Sequence, residues 1–141
     1  MPAFALKRYQ QQALTALENY LRAARLQGAR SAFESEIGYG YNPDPFGDVP
    51  CVCLRIPTGG GKTLLAAHAI GRMAREWPSL APQPLALWLV PSETIRAQTL
   101  AALAAPGLEP VFARDYAALA AARDADVGVV LLRTVDVIRK R

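Results

Sequence analysis

Leu6, Tyr9, Ala13, Ala16, Leu17 and Tyr20 recur at the three- and four-residue spacing of a single helix face. That spacing predicts an amphipathic helix that starts near Leu6 and ends before Gly28. The periodicity breaks over Ser35–Pro50, which holds three glycines, three prolines and the aromatics Tyr39, Tyr41 and Phe46. This stretch is expected to be an ordered loop, because its aromatics need a surface to pack on. From Cys51 the pattern alternates between short apolar runs and helical periods. Strands are predicted at Cys51–Ile56, Leu85–Val90, Glu109–Ala113 and Asp126–Leu132. Helices are predicted at Gly61–Glu76, stopped by Pro78, at Ser92–Ala105 with Ser92 as N-cap, at Asp115–Arg123, and from Val135 to Arg141. Near-continuous apolar strands alternating with helices predict an α/β fold, a parallel sheet with helices on both faces.

Composition narrows this picture only a little. The 141 residues carry a net charge of +4, with 52% hydrophobic and 20% charged positions. A length of this order supports one core and excludes two full domains, and the composition excludes a disordered charged tail. Charged residues interrupt every apolar run, so no membrane span is expected, and the first residues lack a secretory layout. The expected setting is cytoplasmic. Cys51 and Cys53, alternate residues of one predicted strand, are expected to be small buried side chains. His68 is expected to be packed or at the solvent edge, Trp77 and Trp88 to be core or rim aromatics, and Arg55 to be a buried arginine with an ionic partner.

The candidate chemistry lies in Arg55-Ile-Pro-Thr-Gly-Gly-Gly-Lys-Thr63, between a predicted strand and a predicted helix. Gly59, Gly60 and Gly61 let backbone N–H groups converge without Cβ obstruction. The following helix turns its positive end toward the same point. Lys62 supplies a charge for terminal phosphates, and the Thr63 hydroxyl is a hard ligand for magnesium. The pattern predicts a nucleotide-phosphate site, although Ile56 stands where the strict motif begins with glycine.

With Thr58 included, Pro57-Thr-Gly-Gly-Gly-Lys-Thr63 resembles motif I of superfamily 2 helicases and translocases of the DEAD/DEAH-box type. The wording from Val49 to Thr63 is most similar to the helicase subunit of type III restriction enzymes. Tyr9-Gln10 resembles the upstream glutamine motif, and this implies that Gln10 reads adenine; from the residues alone, an exposed glutamine in a polar triplet is the alternative. Val90-Pro-Ser-Glu-Thr-Ile-Arg-Ala-Gln98 resembles motif Ia, and Val129–Thr134 resembles the strand and threonine-bearing turn that follow. The resemblance thus implies nucleic-acid contacts at Pro91, Ser92 and Thr134. Glu93 stands where many relatives have arginine, and Arg96, one helical turn on, is the candidate substitute. The Arg139–Arg141 cluster is either a further phosphate contact or an ordinary basic helix end.

The resemblance implies the N-terminal part of a RecA-like ATPase lobe. Residues 1–28 form the helix with the glutamine motif, residues 31–50 an insertion loop without an assigned task, and residues 51–141 the P-loop core. It also implies ATP and Mg2+ as cofactors and DNA, as duplex, bound through a longer parent protein with nuclease or methyltransferase subunits. Hydrolysis in that family needs an Asp-Glu pair and arginines from a second lobe. Arg133 stands where the metal-binding acid would fall, and Val137 rather than glutamate follows Asp136. The chain alone is therefore expected not to turn ATP over. A non-catalytic nucleotide- or partner-binding module and a small P-loop kinase or ATPase are the alternatives.

Overall fold

The computed structural model describes residues 5–38, 40, 41, 47–77, 85–103, 111–113 and 129–134. Within them lie the helices α1 (Arg8–Gln27), α2 (Ala29–Ile37), α3 (Lys62–Glu76) and α4 (Glu93–Leu103), and the strands β1 (Leu85–Val90), β2 (Val111–Ala113) and β3 (Val129–Thr134). The helices expected at Asp115–Arg123 and Val135–Arg141, with the basic cluster and Asp136, lie outside the described residues.

Helix α1 ends at Gly28, whose φ of 87° is open to glycine and whose N–H donates to the Ala24 carbonyl. Its buried face is Gln10, Leu14, Leu17, Tyr20, Leu21 and Ala24. The expected stripe is therefore rotated, since Tyr9 and Ala16 are exposed and Ala13 is half-buried. The reason is area: turning Leu14 and Leu21 inward removes far more apolar surface from water than burying Ala13 and Ala16, at about 1.5–3 kcal/mol per buried leucine.

Part of the expected 31–50 loop is helical instead. Helix α2 occupies Ala29–Ile37 and stops at Gly38, in left-handed conformation with φ 79°. Two turns are too short for a clear period in the sequence; packing on α1 stabilises them. Ala32 and Phe33 join the cluster of Leu17, Tyr20, Leu21 and Ala24. Phe33 also meets Tyr20 edge-on, with ring centres 6.0 Å apart, and Tyr41 at 5.3 Å. Burial pushes the Tyr20 phenol up, and the nearby Tyr41 adds to that shift. The described residues that follow α2 are tied back by two bonds. Asp48 Oδ1 accepts the Ala29 N–H at 2.9 Å, and Tyr41 Oη donates to the Val49 carbonyl at 2.6 Å.

The strand expected at Cys51–Ile56 is not formed, as residues 51–57 pair with no strand among the described residues. Their burial still alternates with the period of an extended chain. Val52, Leu54 and Ile56 are half-buried, whereas Cys51, Cys53 and Arg55 are exposed. Val52 and Leu54 pack against the α1 cluster beside Ala69 of α3 and Trp77, which follows that helix. Only one face of the segment is covered, so the cysteines and Arg55 stand outward. Neither buried thiols nor a buried arginine is found there.

Helix α3 lies between two cores. One side reaches the α1–α2 cluster, and Ala67 and Ile70 reach a second cluster made by Ala86, Trp88 and Val90 of β1 with Leu100 and Leu103 of α4. Trp77 and Trp88 are thus rim aromatics, as expected. The strands pair in parallel in the order β1-β3-β2, with Leu85 opposite Val129, Val90 opposite Thr134, and Val111 also opposite Val129. Helices α3 and α4 meet the same side of β1, and Leu87 and Leu89 on its other side are exposed. Among the described residues, no helix is long and apolar enough to cross a membrane.

Candidate functional site

Helix α3 opens at Gly61, which has φ 74° and ψ 41° and offers no capping side chain. The first N–H groups of a helix have no carbonyl partner within it, and no acid stands in the first turn of α3 to neutralise them. Lys62, the first helical residue, is exposed, and Thr63 beside it is half-buried. Just upstream, the Gly60 N–H donates to the Pro57 carbonyl at 3.0 Å and closes a turn in which Gly59 has φ 76°. A positive φ at the third turn position is what glycine supplies there.

Gly60 is buried, and its surroundings explain the departure at Ile56. A Cβ on Gly60 would stand 2.6 Å from Ile56 Cγ2 and 2.8 Å from the Pro57 carbonyl oxygen. The isoleucine methyl packs directly beneath the glycine. Its branched side chain thus forms the floor of the loop at the position where the strict motif has no side chain. A cleft of about 220 Å³ adjoins the loop, lined by Leu54, Ile56, Lys62, Leu65, Ala66 and Ala69. Apart from Lys62 that lining is apolar, so it presents few donors for a polyphosphate.

Helix α1 reaches the loop from fifty positions away. Gln10 Nε2 donates to the Gly60 carbonyl at 2.9 Å, and Tyr9 Oη donates to the same oxygen at 2.8 Å. Gln10 Oε1 accepts the Lys7 N–H at 2.9 Å, which fixes the amide orientation. Gln10 is therefore buried, not an exposed member of a polar triplet. Its amide can lie inside because both ends are hydrogen-bonded. Three ion pairs hold α1 against α3 behind this contact: Arg22 with Glu76 at 2.6 Å, Arg72 with Glu18 at 2.6 Å, and Arg75 with Glu18 at 3.7 Å. No local pattern signals them, since each joins residues more than fifty positions apart. His68 lies half-buried in α3, and burial, with Arg72 nearby, pulls its imidazole below the ordinary value.

The second group of expected residues gathers at the sheet. Val90 pairs with Thr134 at the ends of parallel strands, so Pro91 and Ser92 continue from the same sheet edge that Thr134 occupies. Both Pro91 and Ser92 are exposed. Ser92 caps α4 as expected, with its Oγ accepting the Ile95 N–H at 3.3 Å. Arg96 is not free at this edge. Its Nε donates to Glu93 Oε1 at 2.6 Å, and a second guanidinium nitrogen reaches the same oxygen. That pair holds the Glu93 carboxyl below its ordinary value and the Arg96 guanidinium above its own. The acid that departs from the motif is thus the partner of the arginine offered as its substitute.

A glycine-rich turn that delivers Lys and Thr to the start of a helix, beside parallel strands, is the arrangement of the P-loop class. Residues 3–135 match the family of the type III restriction enzyme res subunit. The chain belongs to that family, with a domain of the superfamily 2 helicase type. Membership implies a RecA-like P-loop fold and a helicase-like ATP-binding module. No curated protein and no solved structure matches the chain at a significant level.

Proposed function

We propose that the chain binds ATP with Mg2+ through Thr58, Gly59, Gly60, Gly61, Lys62 and Thr63, as the ATP-binding portion of a restriction-type DNA translocase. The observation that carries this reading is the meeting of Gln10 with Gly60 in front of the uncapped, acid-free start of α3. The donor set suits the ligand. Backbone N–H groups and Lys62 face an anion, and the Thr63 hydroxyl is an oxygen ligand of the kind a hard cation takes. Magnesium, when bound, neutralises charge on the terminal phosphates. An amide has two N–H groups and two lone pairs. In Gln10, one N–H goes to Gly60 and one lone pair to Lys7, which leaves one of each for the adenine edge.

On the same reading DNA, as duplex, runs past Pro91, Ser92, Arg96 and Thr134 at the edge of the sheet. Nuclease or methyltransferase subunits join the longer protein in the cytoplasm. The whole unit is then a parallel sheet with helices on both faces, of which residues 1–28 supply the adenine-side helix, 31–50 the insertion and 51–141 the P-loop core. The test is calorimetry of Mg–ATP against the wild type and Lys62→Ala. Loss of about 1.5–3 kcal/mol of binding on removing the charge is expected. Equal affinities would sink the reading.

A further inference from the structure

We infer that Tyr9 is a positioning residue of the phosphate loop, acting by holding the plane of the Gly60–Gly61 peptide; the inference rests on the nucleotide reading given above. The Gly60 carbonyl receives two donors from α1, Tyr9 Oη at 2.8 Å and Gln10 Nε2 at 2.9 Å. A carbonyl oxygen has two lone pairs, so this pair fills it. The Gly60 C=O and the Gly61 N–H belong to one planar trans peptide and point in opposite directions. Fixing the oxygen toward α1 therefore aims the Gly61 N–H away from α1, into the space in front of the helix start. Glycine on both sides would otherwise leave this plane free to rotate, because neither residue has a Cβ to restrict it. The two donors are not equivalent. Gln10 is buried, and on the nucleotide reading its remaining N–H and lone pair are the ones left for the base, whereas Tyr9 is more than a third exposed and its hydroxyl has no other bond among the described residues. Tyr9 acts on the phosphate donor alone and leaves the base to Gln10.

The experiment measures binding of Mg–ATP, Mg–GTP and Mg–tripolyphosphate to the wild type, Tyr9→Phe and Asp48→Ala, with 15N spectra of the Gly61 amide. Phenylalanine keeps the ring and removes only the hydroxyl. Asp48→Ala controls for a loss of stability away from the loop. For Tyr9→Phe, binding about fivefold weaker is expected, by the same factor for all three ligands. The ATP-to-GTP ratio stays unchanged, and the Gly61 amide shift on adding tripolyphosphate becomes smaller. Asp48→Ala is expected to bind like the wild type. Wild-type affinity of Tyr9→Phe for all three ligands would overturn the assignment to Tyr9 and leave the nucleotide site standing. Weakening confined to ATP would overturn it too, by making Tyr9 a base contact. A wild type that binds none of the three would remove the nucleotide reading itself, and this inference with it.

Discussion

The side-chain nitrogen of Gln10 lies 2.6 Å from the point where a Cβ on Gly61 would stand. No real Cβ tolerates that approach, and Gly61 also holds a φ of 74°, where side chains are disfavoured. Two separate demands thus fall on one glycine. Gly61→Ala is expected to destabilise the fold by about 1–3 kcal/mol and to displace Gln10 from Gly60. Thermal unfolding of Gly61→Ala, Gln10→Ala and the double variant checks this. The double variant relieves the clash but keeps the backbone strain. It should therefore be more stable than the sum of the two losses predicts.

The elements that stood out in the sequence are those with a long period or a strong local rule. Helix α3, the whole of β1 and the Ser92 cap fall where the pattern put them. Helix α1 was legible in extent but not in facing, because Ala13 and Ala16 fit a helical stripe as well as Leu14 and Leu21 do. The contrast between Leu and Ala decides the facing only once there is a partner to bury against. Residues 51–57 illustrate the opposite failure. An apolar run with cysteines predicts a buried strand, but strand pairing is a property of neighbours that the run itself does not contain. At the candidate site, the loop glycines were legible because they answer local backbone demands. The double hold on the Gly60 carbonyl and the Glu93–Arg96 pair depend on side-chain directions, which spacing does not report.

Asp48 fastens the segment that precedes Cys51 to the start of α2 through the Ala29 N–H. Gly28, which precedes α2, has no side chain to cap it, so the cap arrives from nineteen positions downstream. Asp48→Ala is expected to cost about 1 kcal/mol, the usual value of a lost N-cap. Hydrogen exchange should show faster opening of the Ala29 amide and of α2, with α3 unchanged. Equal protection of α2 in the variant would mean that the aromatic contacts of Phe33 hold α2 alone.

These 141 residues are expected to bind ATP without fast turnover. Holding phosphates stabilises the ground state, whereas acceleration needs groups that act more strongly on the transition state. Lys62 and Thr63 are in place, but no adjacent Asp-Glu pair occurs in the sequence. An arginine reaching the γ-phosphate is worth on the order of 10³–10⁵ in rate in P-loop enzymes. Phosphate release with saturating DNA, compared with Lys62→Ala, is the check. Lys62-dependent release at about one per second or faster would show a complete catalytic set.

Glu93 and Arg96 form an ion pair at the start of α4, and on the proposed DNA reading this pair sets the charge met by a phosphate backbone. While Glu93 is ionised it neutralises Arg96, so on the proposed DNA reading the end of the sheet with Pro91, Ser92 and Thr134 is expected to attract DNA only weakly. Glu93→Gln is expected to release the guanidinium, tighten DNA binding and steepen the salt dependence by about one phosphate contact, a slope change of about 0.9 on duplex. The pH dependence follows from the direction of the shift. Arg96 depresses the Glu93 carboxyl in the folded chain. The stabilisation from the pair is therefore present above the ordinary carboxylate value and is lost as pH falls through the lower folded value. Over that same fall, protonation of Glu93 frees Arg96, so wild-type DNA affinity should rise toward acid while the pair's contribution to stability disappears. Glu93→Gln should show neither change from this pair. Fluorescence anisotropy with labelled duplex, at several salt concentrations and from neutral pH to below the carboxylate range, measures both effects. Identical salt slopes for wild type and variant at neutral pH would remove Arg96 from the DNA contact.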